Sequence, residues 1–230
     1  MSGMGDNAMP GRNMSVEIYD TLSKRILTWV YPPGHRFTEE EISAEFKVSR
    51  SPVREAFNML VEADLLEKRE HKGYTVRRVD IREIMELYDT RLVLELAVIH
   101  LVCQIGMDEQ VRLNLMERWQ RLLDNLPEMA GESVFEDERF HETLAEASQN
   151  RVMQRILKDI DRKIHFVRLT DITDPERLKT TCIDHLEILE AIAKNDCETA
   201  ECILRRNIEW GKKKVDSAIR EALIRAHSMG

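Results

Sequence analysis

Two groups of residues in this sequence have types and spacings that could do chemistry. The first lies in the run VSRSPVREAFNML, residues 48–60, where Arg50 and Arg54 stand four apart and so share one face of any helix. At the start of a helix that follows a short turn, such a face can enter a major groove. A guanidinium pairs two-pronged with guanine O6 and N7, with roughly 1–3 kcal/mol of discrimination per good pair. Ser49 and Ser51 add hydroxyls for phosphate. A surface helix with solvated arginines is the plainer alternative, and only the order of the surrounding elements decides against it.

The second group is polar residues at positions where helical periodicity predicts burial. Asp137 and His141 are i and i+4 on a face shared with Val134, Leu144 and Ala145. His185 stands beside Ile188, Leu189 and Ile192, and Asn207 among Ile203, Leu204 and Trp210. Buried polar groups require partners. A divalent cation can serve Asp137, His141 and His185 together, since an i, i+4 pair presents two ligand atoms to one point and a second helix supplies the third. The alternative is that each is a hydrogen-bonded core residue. Arg91 falls within the apolar stripe of Leu87, Leu94 and Val98, where Glu95 one turn on could pair with it, or the carboxylate of a small effector could. His165 and Arg168, three apart, are further candidates for the pocket, with a solvated face as the favoured reading. The four cysteines, Cys103, Cys182, Cys197 and Cys202, form no CxxC pair and read as reduced, packed thiols, with Cys182 one turn before His185 the one placed near a metal.

The elements that must position these groups follow from composition and pattern. The 230 residues are 43% hydrophobic and 33% charged with only 9 Gly and 6 Pro, which excludes a disordered or collagen-like chain and favours a helical one. No uninterrupted apolar run of about 18 residues exists, so a transmembrane helix is not expected, and the polar start MSGMGDNAMPGRN does not resemble a signal peptide, which points to the cytoplasm. The net charge of −8 would argue against a polyanionic partner, but residues 13–79 carry 11 basic and 11 acidic side chains, so all of the excess acidity lies beyond them. After a disordered tail over 1–12, Ile18, Leu22, Ile26 and Val30 form one helical stripe that stops at Tyr31-Pro32-Pro33-Gly34. Thr38 with Glu41 has the form of a capping box opening a short helix, and a third helix, with Pro52 in its first turn, buries Val53, Ala56, Phe57, Leu60 and Val61. Two strand-like runs, residues 65–69 and 74–77, flank Glu70-His71-Lys72-Gly73, so three helices and a β-hairpin give a winged helix-turn-helix over 13–79. Residues 80–227 read as an all-α bundle of six helices, at about 81–104, 108–126, 132–148, 151–171, 175–194 and 197–226, with Asp174 capping and Pro175 opening the fifth.

With these elements in place, PPGHRFTEEEISAEFKVSRSPVREAFNMLVEADLLEKREHKGYTV resembles the DNA-binding domain of GntR-family bacterial transcription regulators, and the remainder is similar to their FCD effector module, over about residues 14–225. The resemblance implies that Ser49, Arg50, Ser51 and Arg54 contact a double-stranded, palindromic operator and that Lys72 and Gly73 form the wing tip. Lys47 and Asp64 stand where the family usually has glycine, and both are expected to adopt a left-handed backbone. Glu40 stands where some relatives carry an arginine that contacts DNA. ERFHETLAEASQN resembles the family's DxxxH element, implying Asp137, His141 and His185 as metal ligands, with Asn207 in the place of a usual fourth histidine. An amide oxygen is a weaker, harder donor than imidazole, so Zn, Ni or Mn would bind less firmly, or a harder cation or none would bind. RLVLE matches the RxxLE element that makes Arg91 an effector contact.

The expectation is therefore a homodimeric transcription repressor, not an enzyme, released by a small organic-acid effector in the helical domain. A helical metalloenzyme using Asp137, His141 and His185 to activate water is the alternative, but it leaves the N-terminal motif unexplained and supplies no obvious general base.

Overall fold

The computed structural model describes residues 10–69, 73–126, 131–172 and 174–228. It is mainly helical with one small sheet, and it divides after Val79 into two compact units, the second spanning Asp80–Arg225.

The first unit begins with α1 (Pro10–Leu27), so a helix starts inside the stretch 1–12 expected as a tail, whose residues 1–9 lie outside those described. Ile18, Leu22 and Ile26 are buried as their spacing requires, but Val30 is exposed. The helix has already ended at Leu27, and Trp29 takes a positive φ of 57° and occupies the buried position instead. Strand β1 (Arg36–Phe37), two residues long and carrying no periodic signal, leads into α2 (Glu39–Phe46). The capping box is present: Glu41 N–H donates to Thr38 Oγ1, and Thr38 N–H donates to the Glu41 carboxylate. Lys47 closes α2 in the left-handed region at φ 55°, and α3 (Arg50–Glu62) follows almost at once. Asp64 is also left-handed, at φ 60°.

Strands β2 (Leu66–Arg69) and β3 (Gly73–Val76) form the expected hairpin, and β1 adds to its other edge to give the antiparallel order β1-β3-β2. The core of this unit is one cluster in which Ile18, Leu22, Ile42, Val53, Phe57, Leu60, Tyr74 and Val76 meet. Phe57 packs between Phe37 and Tyr74, at ring separations of 5.9 and 4.5 Å, and so ties α3 to the sheet.

The second unit contains α4 (Ile81–Ile105), α5 (Glu109–Asp124), α6 (Gly131–Ala147), α7 (Arg151–Asp171), α8 (Pro175–Ala193) and α9 (Cys197–Lys213), and α10 (Val215–Ser228) follows. The starts of α4, α5, α7, α8 and α9 are each capped by a side-chain oxygen, from Asp80, Asp108, Asn150, Asp174 and Asp196. The single helix expected over 197–226 is broken at Lys214, whose amide turns to the carbonyl of Gly211 three residues back. The reading of the cysteines needs correction. Cys103 on α4 and Cys197 at the start of α9 are joined as a disulfide, because the packing of those two helices brings together residues 94 apart in sequence. Cys182 and Cys202 are free; burial first, with Asp137 adding to it, pushes the Cys182 thiol up to about 12, so it stays protonated and unreactive. Among the described residues no helix is long and apolar enough to cross a membrane.

Gly73 is a close approach within the sheet. It opens β3 at φ +77°, and a Cβ there would stand 2.8 Å from the carbonyl oxygen of Phe37. Gly73→Ala is expected to destabilise the N-terminal unit by roughly 1–3 kcal/mol, seen as a lower denaturant midpoint.

Candidate functional site

In the N-terminal unit, α3 turns Val53, Ala56, Phe57 and Leu60 inward and leaves Ser49, Arg50, Ser51 and Arg54 exposed on its opposite, N-terminal face. Ser49 occupies the cap position without making a side-chain cap bond, so its hydroxyl is not committed to the helix. Gly73 is exposed at the start of β3, and Lys72 lies outside the described residues. Sequence reasoning missed the partners of the arginines. Arg50 Nη2 donates to Glu40 Oε2 at 3.0 Å, whereas Arg54 grips Glu39 with two bonds of 2.8 Å, from Nε to Oε1 and from Nη2 to Oε2. That fork holds the Glu39 carboxyl below its ordinary range.

In the helical unit, α6 supplies Asp137 and His141 and α8 supplies His185, with one ligand atom of each within 4.8 Å of the others. His185 Nε2 is 3.5 Å and His141 Nε2 3.8 Å from Asp137 Oδ1, and all three side chains are buried. His185 stacks flat on Phe140 at 3.7 Å and meets the edge of Trp119, which fixes its ring plane. Among the described residues, His141 Nε2 and both ring nitrogens of His185 have no hydrogen-bond partner. Unpaired imidazole nitrogens around a buried carboxylate form a donor set that fits a divalent cation.

Two further residues orient this group. Glu95 on α4 accepts from Arg91 Nε at 2.6 Å through one oxygen and pairs with His141 Nδ1 through the other, leaving His141 Nε2 to face Asp137. The pairing of Arg91 with Glu95 is therefore present, and Arg91 Nη2 is buried with no hydrogen bond of its own. Arg168 and His165, expected on a solvated face, are both buried. That face of α7 packs inward: Arg168 lies 2.9 Å from Asp137 Oδ2 and donates to Asp161 at 2.7 Å, and His165 Nδ1 meets Glu138 Oε1 at 2.6 Å. Burial works most strongly against the charge of Asp137, but Arg168, with His141, His185 and Arg91 adding to it, together more than compensate, and the carboxyl is held at about 2. Asn207 is buried on α9, with its Nδ2 donating to Asp184 Oδ2 at 3.0 Å and its backbone oxygen accepting from Arg177 at 3.1 Å. Cys182 is not part of the three-ligand group.

These environments set a pH dependence. Burial first, and then the guanidinium of Arg91 for His141, hold both histidines far below their ordinary 6.5, so they are neutral in the fold; the opposing pull of Asp137 on each is too small to reverse this. Unfolding restores 6.5, so below that pH the unfolded chain binds more protons and the fold loses stability as pH falls. Asp161 has the opposite sign, since burial raises it from 3.8 to about 6 and the fold then takes up a proton that the unfolded chain does not. One such proton offsets only one of the two imidazoles. Lowering the pH from 7.5 to 5 is therefore expected to reduce the melting temperature of chelator-treated protein by about 3 °C or more. Replacing both histidines by glutamine should abolish that loss and leave the smaller, opposite dependence of Asp161.

Comparison with known proteins places both units. Residues 14–76 match the bacterial regulatory proteins of the gntR family, and residues 86–209 match the FCD domain. The HTH-type transcriptional regulator YdhC of Bacillus subtilis is 29% identical over 188 residues, 81% of this chain and 84% of its own. The gluconate operon transcriptional repressor of the same organism is 32% identical over 146 residues, 63% of this chain and 59% of its own. The fold is shared with a GntR transcriptional regulator from Rhodococcus sp. RHA1, at a TM-score of 0.67 and 24% identity over 89% of this chain and 98% of that one. These are regulators, not enzymes. A winged N-terminal unit that matches the gntR family over residues 14–76, followed by a helical unit that matches the FCD domain over residues 86–209, makes this chain a DNA-binding transcription regulator of the GntR family.

Proposed function

We propose that the protein is a homodimeric, cytoplasmic repressor that binds a palindromic operator through Ser49, Arg50, Ser51, Arg54, Lys72 and Gly73 and leaves it when a small carboxylate effector binds the helical unit. The observation that carries the effector half is the buried trio of Asp137, His141 and His185, with imidazole nitrogens left unpaired. A buried cluster of that kind is costly to keep unless something completes it. Zn, Ni or Mn suits one carboxylate and two imidazoles, and Asn207 stands as a weak fourth donor. The cation, when bound, supplies a Lewis-acidic point for an anionic oxygen of the effector.

The residues of the chain define the rest of the response. Arg91 keeps one buried N–H group free to take a carboxylate, and it shares Glu95 with His141. An effector that draws Arg91 toward itself loosens its hold on Glu95 and so reaches His141. Arg91 and Glu95 lie on α4, which starts only five residues after β3 ends, so the change arises on the helix covalently nearest the DNA-binding unit. A relative that is named a repressor of the gluconate operon is in keeping with an organic-acid effector.

Arg50→Ala and Arg54→Ala should each weaken operator binding by roughly 1–3 kcal/mol and relax the base preference at one position, whereas Lys72→Ala should lower affinity evenly across sequences. Unchanged binding of both arginine variants to a footprinted operator would remove the recognition-helix assignment. A footprint of one isolated half-site would count against the dimer. For the metal, protein purified without chelator should carry a divalent ion that His185→Ala lacks, and Asn207→His should bind zinc more tightly by calorimetry. Equal zinc affinity for wild type and Asn207→His would return Asn207 to a packing role.

A further inference from the structure

The two exposed arginines of α3 are held differently, and the difference decides which edge of each guanidinium is free. Arginine has five N–H groups on two usable edges: the side edge of Nε and one Nη, and the end edge formed by the two Nη. Glu39 occupies the side edge of Arg54 with both of its oxygens at 2.8 Å. Its side chain is only 22% exposed, against 60% for Arg54, so the carboxylate is the fixed member of the pair and the guanidinium projects from it. The free edge is the end edge, two parallel N–H groups pointing away from Glu39, which match the O6 and N7 acceptors of guanine. Arg50 has one contact, to a Glu40 that is 80% exposed, and so keeps its freedom of rotation.

We infer that Glu39 is a positioning residue for base recognition: it presents the end edge of Arg54 to guanine in a fixed plane and cancels the charge that Arg54 would otherwise offer to any phosphate. Glu40 does not do this for Arg50. Ordering the guanidinium before DNA arrives reduces what must be ordered on binding, and this favours the base contact alone. Neutralising the arginine weakens its sequence-independent attraction to the backbone. Together these make Arg54 contribute more to discrimination than to bulk affinity. The inference rests on the reading of Arg54 as a base contact.

The test measures the affinity of the full-length protein for the footprinted operator, for the same duplex with the guanine read by Arg54 replaced, and for an unrelated duplex, all at one salt concentration. Wild type should prefer the guanine about tenfold or more, and Glu39→Gln should cut that preference to about threefold or less. Binding of Glu39→Gln to the unrelated duplex should be equal or tighter, because a negative charge has left the surface. Glu40→Gln should keep the wild-type preference, and Glu39→Gln should add nothing in an Arg54→Ala background. If Arg54→Ala loses the preference while Glu39→Gln retains it, the positioning role is wrong and the base contact stands. If Arg54→Ala leaves every guanine preference unchanged, the base contact fails and the inference fails with it. Equal losses in Glu39→Gln and Glu40→Gln, or weaker binding of Glu39→Gln to all three duplexes, would also overturn it.

Discussion

The helical unit is organised around a buried carboxylate that cannot be left alone. Asp137 is shut away from water, and an unpaired ion there would cost several kcal/mol even after relaxation of its surroundings. Arg168 meets that requirement from α7, and Asp161 on the same helix takes the other side of the guanidinium. His141 and His185 close around the remaining face of the carboxylate in their neutral form, since burial has already removed their charge. Four helices thus have to be in register for one ionised oxygen pair to be tolerable: α6 for Asp137 and His141, α7 for Arg168, α8 for His185, and α4 for the Glu95 that orients His141.

The same constraint couples the members of the network. Glu95 is shared between Arg91 and His141, so neither can move without altering what the other sees. A buried network of this kind is worth more than its separate bonds and is sensitive to the loss of any member. That arrangement suits the proposed response, in which a bound effector would shift an equilibrium by favouring one arrangement of packed helices over another. The disulfide between Cys103 and Cys197 ties α4 to the start of α9, and so constrains the helix on which Arg91 and Glu95 stand.

The N-terminal unit solves a different problem. Its ionic groups are at the surface, where single pairs contribute about 0–1 kcal/mol and matter for orientation more than for stability. Its stability comes from one apolar cluster in which α3 is anchored by Val53, Ala56, Phe57 and Leu60, and that anchoring fixes the direction in which Ser49, Arg50, Ser51 and Arg54 project. Three consecutive glutamates at the start of α2 then divide their work. Glu41 completes the capping box, while Glu39 and Glu40 reach across to α3.

What the sequence determined alone were the features whose causes lie within a turn or two of chain. A hydroxyl three residues before a glutamate set the start of α2 and Asp174 before Pro175 set the start of α8, while the left-handed backbone at Lys47 and Asp64 was implied by the resemblance to a family that usually has glycine there. The i, i+4 spacing of Asp137 and His141, and of Arg91 and Glu95, placed each pair on one face before any packing was known. Only the tertiary structure decided which face met which. Nothing local joins Glu95 to His141, 46 residues away, Glu39 to Arg54, 15 away, or Cys103 to Cys197. Arg168 and His165 show the cost of that gap: their polarity suggested solvent, but the charges that make their burial tolerable stand elsewhere in the chain. Burial of an ion depends on partners delivered by other helices, and helix packing registers are set by the whole apolar surface, not by the residues beside the ion.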